Sequence, residues 1–185
     1  MLDPHIRAAL MDRLASADPE AVVFHELPLS RGDRRADVVA VNGVIAGFEI
    51  KSERDSLARL TGQADRYDDV CEYMTVVVAR RHLPHARATV PRRWGIVVAE
   101  PDLYGIRLRD VRKPRRNGRL DKRALVRLMW RTECARALRN VGRRLPPRTL
   151  ALHLWAELDK LPMATVLREV RAALKRRAGE SSGRT

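Results

Sequence analysis

Arg35-Ala36-Asp37-Val38-Val39-Ala40-Val41-Asn42-Gly43-Val44-Ile45-Ala46-Gly47-Phe48-Glu49-Ile50-Lys51-Ser52 is the stretch on which the reading of this chain turns. Apolar, mostly β-branched runs lie on either side of an Asn-Gly pair, the pattern of two antiparallel strands joined by a tight turn. Set into these strands are two acids and a lysine, side chains that a folded protein seldom hides without a use. Residues two apart on a strand share a face, so Glu49 and Lys51 point the same way. Whether Asp37 joins them depends on the turn. A two-residue loop Asn42-Gly43 puts Asp37 opposite Phe48, on the other face. A three-residue loop Val41-Asn42-Gly43, with Gly43 in the left-handed conformation, puts Asp37 opposite Gly47 and diagonal to Glu49. A shared site therefore requires an odd loop or a bulge.

Two carboxylates at neighbouring strand positions repel, and the usual remedy is a hard divalent cation with oxygen ligands, Mg²⁺ or Mn²⁺. A lysine beside such a metal can hold an attacking water and stabilise charge growing on a phosphorus-centred transition state. Gly47 would leave room there for the metal or a phosphate.

Asp37 followed across the turn by Glu49-Ile50-Lys51 resembles the PD-(D/E)XK nuclease superfamily, with Ala36 where the family name has proline. The resemblance implies a restriction-endonuclease-like α/β fold, a mixed sheet flanked by helices, and metal-dependent hydrolysis of phosphodiester bonds in nucleic acid, DNA in the first instance. It implies that Asp37 and Glu49 bind Mg²⁺ or Mn²⁺, with the Ile50 carbonyl and, through water, Glu26, while Lys51 positions the nucleophilic water. Glu26 lies on the preceding apolar run, Ala21 to Leu29, as a glutamate does in Holliday-junction-resolvase-like members; the alternative is a solvated glutamate on an edge strand. The resemblance also admits a homodimer that cuts two strands.

Beyond Lys51 the spacing of Leu57, Leu60, Ala64, Tyr67, Cys71 and Met74 predicts a helix from Glu53 to about Tyr73, with Ser52 as N-cap and Asp55 three residues on. Gln63 and Tyr67, four apart, are neighbours on its surface. Gln-x-x-x-Tyr after Glu-x-Lys resembles the RecB-like exonuclease branch, where the pair contacts the scissile strand or orients the site. A glycine inside such a helix, Gly62, costs roughly 1 kcal/mol against alanine and suggests close approach to the sheet.

The remaining order is read from periodicity: an opening helix from Asp3 to about Ser16, a buried strand Met74–Ala79 parallel to the Glu49 strand, a short helix Leu83–Val90, and strands Trp94–Glu100 and Leu103–Leu108 as an antiparallel pair. This makes residues 1–110 an α/β core. A basic linker at 111–119 has no apolar stripe. Helices follow over Asp121–Trp130, Thr132–Val141, Arg148–Leu158 and Met163–Arg177, a basic all-α region at 120–178, with a disordered tail at 179–185. The pair around the Lys160-Leu161-Pro162 turn loosely resembles a helix-turn-helix. Trp94, Trp130 and Trp155 are expected to pack the core, and Cys71 and Cys134 to be buried thiols outside any disulfide or zinc framework.

Charge divides the chain. Residues 1–100 hold 14 Lys and Arg against 15 Asp and Glu; residues 101–185 hold the other 23 against 8, so all of the net positive charge lies in the C-terminal part. Such asymmetry points to a polyanion-binding segment beside a near-neutral core. Aromatic content of 4% is low for a protein that stacks single-stranded bases. There is no Gly-rich phosphate loop, no Gly-x-Ser-x-Gly and no Cys/His set at metal spacing. No apolar run is long enough for a membrane, and the start lacks the features of a signal peptide, so a cytoplasmic protein is expected. The leading expectation is a divalent-metal nuclease, a class of fold used in repair, restriction and phage biology. The alternatives are a non-cleaving nucleic-acid-binding or accessory protein on the same fold, and a module whose basic helices engage a protein.

Overall fold

The computed structural model describes residues 2–29, 34–56 and 64–182. A six-stranded mixed sheet runs in sequence order, β1 (Val22–Leu29), β2 (Arg34–Asn42), β3 (Val44–Lys51), β4 (Tyr73–Ala79), β5 (Gly95–Asp102) and β6 (Gly105–Arg112). β3, β4 and β5 are parallel, as expected of β-branched runs joined by helical crossovers; the outer pairs are antiparallel. The helices are α1 (Asp3–Ala17), α2 (Ala64–Asp68), α3 (Leu83–Thr89), α4 (Lys122–Arg127), α5 (Arg131–Asn140), α6 (Ala151–Asp159) and α7 (Met163–Ser182), with a 3₁₀ turn at Arg80–His82. This is the mixed α/β architecture with a helical C-terminal region that the sequence implies. No helix among the described residues is long and apolar enough to cross a membrane.

The hairpin register settles where Asp37 lies. Val41 pairs with Ile45 and Asn42 with Val44, around Gly43 at φ +68°. The loop is odd, but centred one residue later than Val41-Asn42-Gly43. Continued from the Val38–Phe48 pair, this register sets Asp37 opposite Glu49 rather than Gly47. On the other side β1 pairs His25 with Val38 and Leu27 with Ala36. Glu26 falls between them, opposite Asp37, at a left-handed φ of +52° that interrupts the ladder.

The helix expected over 53–73 is not continuous. Asp55 does reach back, its Oδ2 accepting from Ser52 N and Oγ at 2.8 and 2.5 Å, but this closes a turn and residues 52–56 contain no helix. Leu57, Leu60, Gly62 and Gln63 lie outside the described residues. At the far end α2 stops at Asp68 because the chain must enter the sheet: Glu72 N donates to Ile45 O at 2.9 Å and Tyr73 opens β4. The tail expected from 179 continues helically through Ser182.

Two apolar layers sandwich the sheet. Ile6 and Leu10 of α1 meet Val38, Ile50, Val77 and Val97 on one face. On the other, Val39, Val41, Ile45, Val76, Val78 and Ile96 join α2 and the C-terminal helices, through Leu125, Leu138, Leu158, Val166 and Leu174, in one continuous core. β6 runs on to Arg112, and the segment after it is a strap tied across the sheet end rather than a free connector. Arg115 N donates to Arg93 O, Asn117 N to Glu72 O and Asp121 N to Asp69 O, at 2.7–2.9 Å. The Asn117 side chain, 4% exposed, donates to Asp68 O at 2.5 Å and Cys71 O at 3.1 Å, and its Oδ1 accepts from Arg119 N at 2.9 Å.

Candidate functional site

β2, β3 and α2 bring Asp37, Glu49, Lys51 and Tyr67 together. Glu49, 3% exposed, uses both carboxylate oxygens: Lys51 Nζ donates to Oε1 at 2.6 Å and Tyr67 Oη to Oε2 at 2.6 Å. Burial and the adjacent Glu49 push the Tyr67 hydroxyl upward, so it stays a neutral donor. Tyr67 is 2% exposed, and its ring meets Trp94 edge-on at 5.8 Å. Asp37 Oδ2 accepts from Ile50 N at 2.7 Å. Burial, and then the charge of Glu49, lift the Asp37 carboxyl from 3.8 to about 7, against the pull of Ile50 N–H, Lys51 and Arg7. Arg7, on α1, links the rim: its Nη1 donates to Asp37 O at 2.7 Å and its Nη2 lies 3.6 Å from Glu26 Oε1.

The sequence therefore places Asp37, Glu49, Lys51 and Tyr67 correctly as neighbours. Glu26 stands at the rim, exposed and turned to Arg7. The Ile50 carbonyl belongs to a buried strand residue, and Gln63 lies outside the described residues. Gly47 has a different job from the one its size suggests. A Cβ there would meet Met74 Sδ at 2.6 Å and Cys71 Sγ at 2.7 Å, so the glycine admits core side chains, not a ligand. Among the described residues no three His, Cys, Asp or Glu side chains converge. Each Glu49 oxygen accepts from one side chain and Asp37 Oδ2 accepts from Ile50 N, so in this arrangement both acids are held by protein donors. The cluster ties α2 to β3 through the Glu49 carboxylate and β2 to β3 through Asp37 and Ile50 N.

Sequence reasoning missed a second buried group. Glu72, fully buried, holds Arg171 of α7 (Nε to Oε2 3.0 Å, Nη2 to Oε1 2.5 Å), Arg116 of the strap at 3.2 Å and Ile45 N at 3.0 Å. Asp68 likewise takes Arg93 and, at 2.9 Å, the indole N–H of Trp94. An acid amid arginine-rich sequence carries no sign of a partner 99 residues away. Cys71 and Cys134 are buried free thiols, both pushed up to about 12 chiefly by burial. Trp94 is core, but Trp130 is 57% exposed with the Arg177 guanidinium 4.1 Å from its ring centroid.

The basic residues fall into two groups. On α7, Arg171, Lys175 and Arg177 are engaged with Glu72, Asn42 and Glu133, and the helix packs lengthwise on the core. α7 thus spends these three cations inside the molecule, while Ala164 and Arg168 stay exposed on it. By contrast Arg87, Arg92, Lys113, Arg115 and Arg119 are exposed, with no side-chain partner among the described residues. Arg112 stands among Arg115, Arg87 and Arg92; burial and then these like charges hold its guanidinium below the usual range.

Comparison with known proteins places the chain elsewhere than the Asp37/Glu49-Ile50-Lys51 pattern suggests. The description of the family Bacteriophage P4 protein cII matches residues 1–184. Protein cII of Enterobacteria phage P4 is 29% identical over 123 residues, 66% of this chain and 47% of that protein, so the match spans about half of the relative's length. No solved structure matches. The family match overturns the assignment to the PD-(D/E)XK superfamily, with its RecB-like and resolvase-like features, and with it the expectation of a metal-dependent nuclease or hydrolase. A strand-borne acid, acid, lysine set can arise as a structural clamp, as it does here around Glu49. On a match that runs through 184 of its 185 residues, the chain belongs to the family of bacteriophage P4 protein cII.

Proposed function

We propose that the protein binds nucleic acid, with DNA as its partner, holding the phosphate backbone through lysine and arginine side chains. The observation that supports this is the cluster of Arg87, Arg92, Arg112 and Arg115, with Lys113 and Arg119 exposed on the strap that carries Arg115. Like charges gathered without carboxylates work against folding. The strap that carries half of them is nevertheless pinned by buried hydrogen bonds. A rigid array of uncompensated cations suits a polyanion, whose bound counterions it releases.

The test is fluorescence anisotropy of a labelled duplex across a salt series. Binding at about 50 mM salt that weakens steeply toward about 200 mM is expected. The combined substitution Lys113→Ala, Arg115→Ala and Arg119→Ala should lower the slope of log K against log salt by about 2 to 3, one phosphate per cation. Absence of binding by the wild-type chain at low salt, or binding indifferent to salt, overturns the proposal.

A further inference from the structure

We infer that α5 is a duplex-DNA-reading helix that lies in the major groove with phosphates seated on both of its flanks; this rests on the nucleic-acid reading above. α4 and α5 are separated by three residues, Leu128 to Trp130, the connection of a helix-turn-helix. α5 buries Cys134, Ala137 and Leu138 against the core. Its opposite stripe is Thr132, Arg136 and Arg139, spaced i, i+4, i+7. All three are exposed and their side chains have no partner among the described residues. The one acid on the helix, Glu133, is engaged: it caps Trp130 N at 2.6 Å and pairs with Arg177. The outward stripe of α5 therefore carries donors and two cations, with the nearby Glu133 already taken up by Trp130 N and Arg177.

The flanks supply what a bare basic helix would lack. On one side is a groove of about 390 Å³ lined by Arg131, Arg139 and Arg144 with Thr132 and Thr149, and no acid lines it. Arg131 is anchored there, donating to Pro147 O at 3.0 Å, while Arg139 and Arg144 have no side-chain partner among the described residues. On the other side is a cleft of about 120 Å³ lined by Arg136, Arg176 and Arg177, with Glu133 and Glu180. Arg176 Nη2 is buried without a hydrogen-bond partner among the described residues. Leaving a buried guanidinium N–H unsatisfied is costly, and a phosphate entering the cleft beside Arg136 would satisfy it once the Arg176 side chain turns outward.

These features commit to B-form DNA. A helix with its side chains is about 10–12 Å across and the B-form major groove about 12 Å wide, with a phosphate backbone on each side. Arg136 and Arg139 are then placed to bond guanine O6 and N7, and Thr132 to contact base edges, while the flanking arginines take the two backbones. The major groove of duplex RNA is too deep and narrow to admit such a helix.

The experiment is selection of preferred sequences from a random duplex library by the wild-type chain, followed by competition binding against unrelated duplex and against duplex RNA. The wild type should enrich a site and prefer it; Arg136→Ala with Arg139→Ala should lower that preference by about tenfold or more, and Arg139→Lys should lower it while keeping affinity for unrelated DNA. The strap variant should weaken all duplexes alike. The helix inference is overturned if no sequence is enriched, if the α5 variants weaken all duplexes equally, or if duplex RNA competes as well as the enriched site. Failure of the wild type to bind any duplex overturns the wider reading instead. Unchanged melting temperatures of the variants, all at exposed positions, establish that the fold is intact.

Discussion

Asp37 is the side chain whose chemistry changes most on folding. In the unfolded chain it loses its proton near 3.8; in the fold, burial and Glu49 hold the proton until about 7. Between those values the folded protein binds a proton that the unfolded chain has lost. The slope of unfolding free energy with pH is therefore negative there, and Asp37 subtracts stability progressively from about pH 4 to pH 7 and uniformly above. Asp37→Asn should remove this dependence, because an amide oxygen can still accept from Ile50 N–H while no charge meets Glu49. Discounted for part exposure, the variant should exceed the wild type by about 1–2 kcal/mol above pH 7 and approach it near pH 4. Urea midpoints of both proteins across that range decide the matter: parallel profiles would mean that Asp37 is not the titrating group.

The elements show which parts of the fold local chemistry writes into sequence. β2 and β3 are legible because alternation and the Asn-Gly pair act over a few residues; the sequence leaves two registers open, and the observed one is neither, because Asn42 remains paired to Val44 and Gly43 alone takes a positive φ. The Glu53–Tyr73 helix is over-read at its two ends: residues 53–56 form a turn, and after Asp68 the same spacing, carried on by Cys71, serves a turn that leads into the sheet. The strap was illegible as structure. Its composition is that of a connector, and what orders it is a set of backbone bonds to Arg93, Glu72 and Asp69 together with one amide side chain meeting carbonyls some 46 and 49 residues earlier in the chain. Asn117→Ala deletes the side-chain bonds and leaves two buried carbonyls short of a donor, which should destabilise by about 2–3 kcal/mol. It should also release amide exchange selectively over residues 113–121. Exchange that rises evenly over the whole protein would show instead that the strap opens only with global unfolding.

At the scale of the molecule the sequence marks a charge boundary near residue 100, and the fold ignores it. The acid, acid, lysine motif read as the organising centre is a clamp within the sheet, whereas the group that joins the two halves is Glu72, held by Arg171 and Arg116. Residues 1–110 read in sequence as an α/β core. In the fold, one sheet face presents Val39, Val41, Ile45, Val76, Val78 and Ile96 to the layer that α4–α7 complete. Baring a fully buried aliphatic side chain costs about 1.5–3 kcal/mol, so exposing even half of these approaches the whole stability of an ordinary domain, about 5–15 kcal/mol. Truncation would also leave the Glu72 carboxylate without either arginine, and an uncompensated charge at a buried site is itself strongly destabilising. A fragment of residues 1–112 should therefore fail to fold: no cooperative thermal transition and no dispersed amide spectrum, with dye-binding apolar surface in their place. The same fragment mixed with a separately made 113–185 chain should regain both signals if the defect is the missing layer, while a fragment that melts cooperatively by itself would show that the sheet and α1 suffice.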